Sequence, residues 1–104
     1  MEFKELNISK QILMALEEAG FDQPTPIQEQ AFSVIRSGKD IVGIAQTGTG
    51  KTLAYLIPLL MKLHYAQGNY PRAIVMVPTR ELVVQVCESV ELLTEFMDIR
   101  RVCV

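Results

Sequence analysis

The residues best suited to chemistry form one glycine-rich segment of this 104-residue chain, Ala45-Gln46-Thr47-Gly48-Thr49-Gly50-Lys51-Thr52. Gly48 and Gly50 permit backbone conformations that turn several amide N–H groups inward, and a helix after them would add the positive end of its dipole. Lys51 would then neutralise the β and γ phosphates of a nucleotide, and the Thr52 hydroxyl suits Mg²⁺, a hard cation that prefers oxygen. The alternative is an ordinary strand-to-helix turn. The apolar run before the segment and the helical pattern after it favour a phosphate-binding loop.

A second candidate segment, residues 20–28, lies shortly before the loop. Its local pattern predicts a helix start, in which Thr25 is the N-cap, a proline follows and Gln28 completes a capping box. A glutamine amide can also donate to and accept from an adenine edge at the same time, so Gln28 is a candidate for base recognition. Phe21 and, further upstream, Phe3 could stack on a base or lie in the core. Both interpretations stay open at this point.

A third segment, Pro-Thr-Arg-Glu-Leu over residues 78–82, follows an apolar run. Thr79 is a suitable N-cap, and the carboxylate of Glu81 is favourable in a first helical turn. Arg80 is less favourable there, because its charge opposes the helix dipole. A docked anion, such as a nucleic-acid phosphate, would explain the arginine.

The composition limits the class of protein. The content of 49% hydrophobic and 21% charged residues predicts one globular unit. The net charge of −2 does not by itself indicate binding to nucleic acid. Its two cysteines, Cys87 and Cys103, lack metal-ligand spacing, and we expect reduced thiols. No apolar run is long enough to span a bilayer and no signal peptide is evident, so the expected location is the cytoplasm, away from membranes.

Hydrophobic spacing and the glycine and proline positions divide the chain into alternating elements. Helices are predicted over 9–19, 26–37, 51–64 and 79–96, and short apolar runs predict strands over 41–45, 73–77 and 102–104. Strands separated by helices of this length need crossover connections, which predicts the α/β class, a parallel sheet with flanking helices. Because the last apolar run has no turn signal after it, we expect a domain truncated after the start of its third strand.

In this order and spacing, the three segments resemble the N-terminal part of the first RecA-like domain of DEAD-box RNA helicases. Residues 20–28 look like that family's Q motif, inside a Q-motif region over 1–29. Residues 45–52 resemble its motif I, the P-loop, in which alanine is the usual first residue, and residues 78–82 resemble its motif Ia. The resemblance spans nearly the whole chain, so residues 1–104 are expected to form a partial helicase ATP-binding domain.

The resemblance implies an ATP and Mg²⁺ site. Gln28 would recognise the adenine edge, while Phe21 or Phe3 would pack on the ring and so select ATP. Lys51 and Thr52 would be the catalytic residues, with Thr52 as the metal ligand. The complete set of implied ATP-binding residues is Phe3, Phe21, Gln23, Gln28, Ala45, Gln46, Thr47, Gly48, Thr49, Gly50, Lys51 and Thr52.

The resemblance also implies partners. Pro78, Thr79 and Arg80 would contact the sugar-phosphate backbone of RNA without reading its bases, and a second RecA-like domain would close over the first in the parent protein. One departure is Val83, which stands where the family usually has alanine and should affect helix packing more than chemistry.

The family's D-E-A-D and S-A-T segments do not occur in the 104 residues. The resemblance assigns to them, and to arginines of the second domain, the organisation of Mg²⁺, water and the transferring phosphoryl group. We therefore expect the chain alone to bind ATP weakly or not at all, to hydrolyse none and not to unwind RNA. Two alternatives stay open: a DNA helicase or other translocase on the same core, and a non-catalytic nucleotide-binding or interaction module.

Overall fold

The computed structural model describes residues 2–45, 50–63, 72–97, 99 and 101–104. Within them, a short 3₁₀ helix, Phe3–Leu6, precedes four α-helices: α1 (Lys10–Glu18), α2 (Pro26–Arg36), α3 (Lys51–Lys62) and α4 (Arg80–Leu93). All four predicted helices are confirmed; α2 and α3 begin at the predicted residues, and the other ends lie one to three residues inside the predicted bounds. None of the helices described here combines the length and apolar character that crossing a bilayer requires.

The local signals explain where the first two helices begin and end. Gly20 adopts a φ of +85°, a left-handed conformation that suits glycine, directly after the last turn of α1. Pro26 occupies the first position of α2, where its missing N–H costs nothing. The short connection between these positions brings α2 back against the rest of the helical layer.

The core is built around α3, which is apolar on most of its circumference. α2 packs along α3, and α4 contacts both α1 and α3. Ile12 and Leu16 of α1 and Leu93 of α4 are at most 1% exposed. The buried residues that α3 contributes are Leu53, Ala54, Leu56, Ile57, Pro58, Leu60 and Met61. A helix buried on this scale is the expected central element of its layer.

The three apolar segments, residues 41–45, 73–77 and 101–104, carry no assigned strand in the described part of the chain. The predicted parallel sheet is therefore not shown. Their even-numbered apolar side chains are at least 77% exposed: Val42, Ile44, Ile74, Met76, Val102 and Val104. The odd-numbered Ile41 and Val75 are only 41% and 38% exposed, and Val77 packs against the core. Exposure that alternates with a period of two is the pattern that a strand produces.

The expectation of two reduced thiols is wrong for this structure. Cys87 on α4 and Cys103 in the third apolar segment form a disulfide, with their Cα atoms 6.5 Å apart. This separation lies within the range that disulfides span. The sequence could not predict the pair, because it depends on how the chain after α4 folds back and brings together residues that are 16 positions apart.

Candidate functional site

The end of the predicted phosphate loop is a helix start. Gly50 is the N-cap of α3 and adopts the left-handed conformation, with φ 80° and ψ 29°. Lys51, which is exposed, and Thr52, which is half-buried, form the first turn. The first N–H groups of a helix have no partners within it, so this turn presents donors and a cation together. Four predicted loop residues lie outside the described part of the chain: Gln46, Thr47, Gly48 and Thr49.

Gln28 connects the second candidate segment to the end of this loop. The backbone N–H of Thr25 donates to Gln28 Oε1 at 2.9 Å, which is the glutamine half of the predicted capping box. The same side chain donates from Nε2 to the carbonyl oxygen of Gly50 at 3.1 Å. Although Gln28 is only 5% exposed, its amide NH₂ has a second N–H and its oxygen a second lone pair. One side chain thus fixes a helix start and contacts the loop.

A side chain at position 50 would displace the amide of Gln28. A Cβ atom built on Gly50 would overlap Gln28 Nε2 and would lie 3.3 Å from Thr25 Cγ2. Both the left-handed backbone and the close approach therefore require glycine at this position. The sequence predicted the two segments as separate parts of a site; the structure places them in direct contact.

Tyr55 is a neighbour of Thr52 that sequence reasoning missed. Burial raises the pKa of the Tyr55 hydroxyl, and a hydrogen bond with the Thr52 side chain lowers it in part. The spacing of three residues on a helix places the two side chains on one face, and that spacing was a usable signal. Tyr55 therefore helps to orient the hydroxyl that was predicted to bind the metal.

The two candidate stacking residues lie in different environments. Phe3 is 4% exposed and belongs to the hydrophobic core, as its alternative interpretation proposed. Phe21 is 42% exposed, at the turn after α1, and Gln23 next to it is also exposed. Of the two rings, Phe21 is the one with a free surface. Ala45, at the other end of the loop, is half-buried.

The third candidate segment begins α4. Thr79 is its N-cap, and the N–H of Leu82 donates to Thr79 Oγ1 at 3.2 Å, which confirms the predicted cap. Pro78, Thr79 and Arg80 are exposed. Between described residues, no hydrogen bond joins these three to Gln28 or Gly50. The structure therefore presents a Gln28–Gly50 region and a separate helix start that carries Arg80.

Comparison with known proteins gives consistent matches. A family model described as DEAD/DEAH box helicase matches residues 25–104. The "ATP-dependent rRNA helicase RRP3" of Candida albicans is 45% identical over 102 residues, which cover 98% of this chain and 19% of that protein. The chain thus spans about a fifth of this relative's length.

Solved structures agree with the sequence matches. A DEAD box protein from Methanococcus jannaschii superposes with a TM-score of 0.79 at 41% identity, over 89% of this chain and 25% of that one. The RNA helicase Prp28 from Chaetomium thermophilum, solved bound to ADP, gives a TM-score of 0.82 at 35% identity, over 89% of this chain and 24% of that one. The backbone arrangement described above is therefore shared with both.

Proposed function

This chain belongs to the DEAD/DEAH box helicase family, and from that premise we propose that it forms part of the ATP-binding domain of an ATP-dependent RNA helicase. Residues 1–104 are a partial RecA-like domain, with a Q-motif region over 1–29, a P-loop over 45–52 and motif Ia over 78–82. The three apolar segments are strands of a parallel sheet. The alternating exposure along residues 41–45 and 73–77 supports that assignment, because it gives each segment two distinct faces.

The hydrogen bond from Gln28 Nε2 to the Gly50 carbonyl is the observation that carries the proposal. It brings the Gln28 amide to the start of α3, next to Lys51, and this supports a role for the amide in recognising adenine beside bound phosphates. The second N–H and the second lone pair of Gln28 match an adenine edge, which offers an acceptor and a donor side by side. Phe21, exposed at the turn before this segment, is the ring available to pack on the base.

The start of α3 fits the triphosphate. Gly50 is the N-cap at which the helix begins. Lys51 and the first amide N–H groups would present positive charge to a bound anion. Mg²⁺ prefers oxygen ligands and keeps phosphates and waters among them, so the Thr52 hydroxyl would serve as one of its protein ligands. When bound, the ion would neutralise charge on the phosphates. Residues 46–49 would complete the loop.

The start of α4 fits a backbone phosphate of RNA. In the described part of the structure, Arg80 is exposed and its guanidinium has no ion-pair partner. Its position in the first turn costs helix stability unless an anion is present. Pro78 and Thr79 precede it on the same exposed surface. Contacts of this kind are independent of base sequence.

Nucleotide titration of the isotopically labelled chain, followed by NMR, tests the proposal directly. At millimolar concentrations we expect ATP with Mg²⁺ to shift the backbone amides of Gly50 and Lys51 and also the side-chain NH₂ of Gln28. GTP should shift the two backbone amides but not the Gln28 side chain, because the guanine edge reverses the donor and acceptor pattern. NMR is suited to a chain of 11.7 kDa. It also detects weak binding.

Two variants provide the controls. Lys51→Ala should reduce the chemical-shift changes caused by both nucleotides. Gln28→Glu loses the amide donor, and it should abolish the preference for ATP over GTP without abolishing nucleotide binding. The rate of phosphate release in the same samples should equal the background rate of ATP hydrolysis in buffer without protein. Equal responses to ATP and GTP would overturn the assignment of this site to ATP.

A further inference from the structure

The Gln28 amide is hydrogen-bonded to the backbone through both its oxygen and its nitrogen. Oε1 accepts from the Thr25 N–H at 2.9 Å, and Nε2 donates to the Gly50 carbonyl oxygen at 3.1 Å. Thr25 is the N-cap of α2 and Gly50 is the N-cap of α3. The side chain therefore joins two helix starts, through one donor and one acceptor.

These two partners dictate which way the amide faces. A backbone N–H can only donate and a backbone carbonyl can only accept. Turning the amide by 180° about the Cγ–Cδ bond would set Nε2 against the Thr25 N–H and Oε1 against the Gly50 carbonyl. Both hydrogen bonds would then be lost at a side chain that is only 5% exposed. Because buried polar groups without partners are costly, a single orientation of the Gln28 amide fits.

Both partners are themselves fixed by the helices that they begin. The Gly50 carbonyl also accepts from the Ala54 N–H at 3.2 Å, and the Thr25 carbonyl accepts from the Glu29 N–H at 3.1 Å. These are the first hydrogen bonds of α3 and α2. Since Gly50 has no Cβ, its carbonyl can lie this close to the amide of Gln28. The geometry around the amide is thus set by two rigid elements.

The orientation of the amide matters for the choice of base. A glutamine that can turn over offers its donor and acceptor in either order, so it can serve an adenine edge or the reversed pattern of a guanine edge. An amide that is held in place offers one order only. It also loses less conformational freedom when the base binds.

This inference rests on the proposed function, in which Gln28 recognises adenine. We propose that Thr25 and Gly50 are specificity-determining residues: the Thr25 N–H and the Gly50 carbonyl lock the Gln28 amide in the orientation that accepts adenine and rejects guanine. Because both partners are backbone groups of this chain, the lock requires no nucleotide to form. Thr25 lies outside the phosphate loop, so the lock can be weakened there without changing a loop residue.

Thr25→Pro removes the N–H with little change to the local backbone. Thr25 has φ −77° and ψ 164°. This φ is close to the value that proline imposes, and an extended ψ is what a residue before Pro26 requires. Thr25→Val is the matched control, because it keeps the N–H and the branched shape of the side chain.

The first measurement uses the chain without nucleotide. We expect hydrogen exchange of the Gln28 side-chain NH₂, followed by NMR, to be at least about tenfold slower than that of the exposed Gln11 and Gln30. Thr25→Pro should speed the exchange at Gln28 by about two- to tenfold, the effect of one hydrogen bond, and Thr25→Val should leave it unchanged. Equal exchange at the three glutamines of the unmodified chain would overturn the lock, and this result depends on neither variant.

The second measurement is the ratio of the dissociation constants for GTP and ATP, each with Mg²⁺, from NMR titrations. Thr25→Pro should lower this ratio by about two- to tenfold, and Thr25→Val should preserve it. A ratio that Thr25→Pro leaves unchanged, or that both variants lower equally, would overturn the lock while the assignment of the site to ATP stands. An unmodified chain that responds equally to both nucleotides, with Gln28 still protected, would overturn that assignment and this inference with it.

Discussion

The helical layer and the three apolar segments contain similar apolar side chains, but the helices bury many of them and the segments leave most of them exposed. In the helices, Ile12, Leu16, Leu56 and Leu93 are at most 1% exposed. In the segments, Val42 and Ile44 are 89% and 92% exposed. The other even-numbered apolar residues of the segments are exposed to a similar degree. Hydrophobicity alone therefore does not explain which residues are buried.

The difference follows from how each element satisfies its backbone. A helix forms its hydrogen bonds internally, so four helices can bury their apolar faces against each other as soon as they pack. A strand requires neighbouring strands for its backbone and cover for both of its faces. In the described part of the chain the helices thus bury apolar side chains against one another, while the outer face of the three segments is exposed.

The largest expected effect is on the helical side of this comparison. Leu56→Ala would remove a side chain that is 1% exposed at the centre of α3. We expect the free energy of unfolding to fall by about 2–5 kcal/mol, because the surrounding helices cannot close the cavity completely. Urea denaturation followed by circular dichroism measures the change.

Val42→Ala is the matched control for that measurement. Val42 is 89% exposed, so its truncation should change the free energy of unfolding by no more than about 0.5 kcal/mol. A loss above that for Val42→Ala would show that the outer face is covered in solution, and the contrast between the two regions would disappear. A small loss for Leu56→Ala would instead remove α3 from the core.

The next effect is at Gly50, the N-cap of α3 and the last glycine of the predicted phosphate loop. Gly50→Ala combines a left-handed backbone, worth about 1–2 kcal/mol, with an overlap between the new Cβ and Gln28 Nε2. We expect a loss of about 2–3 kcal/mol, since overpacking adds to the backbone cost. Thermal or urea unfolding would measure it.

Gly20→Ala isolates the backbone part of that loss. Gly20 has nearly the same φ, +85°, but a Cβ there would meet nothing within 4 Å. Its loss should be close to the backbone cost alone, about 1–2 kcal/mol. If the two variants lose equal stability, the close contact between Gln28 and Gly50 contributes nothing.

Sequence reasoning succeeded where the controlling signals are local. The cap at Thr79, the proline at the start of α2 and the glycine after α1 each act within a few residues, so the helix bounds were predictable. It could not predict that Gln28 reaches Gly50 across 22 positions, or that Cys87 pairs with Cys103. Both contacts depend on how elements pack. The same limit applies to the predicted sheet, which requires pairing between distant segments.

The smallest expected effects are at the start of α4, where Thr79 and Arg80 act on helix stability in opposite directions. Thr79→Ala removes the acceptor for the Leu82 N–H and should lower the free energy of unfolding by about 1 kcal/mol. Thr79→Ser retains the hydroxyl and should lower it much less.

Arg80→Ala should stabilise the chain by about 0.3–1 kcal/mol, because it removes a cation from the positive end of the helix dipole. Urea unfolding at low salt measures all three. A destabilised Arg80→Ala would show that the arginine is retained for folding, which would remove the argument that its position reflects a bound phosphate.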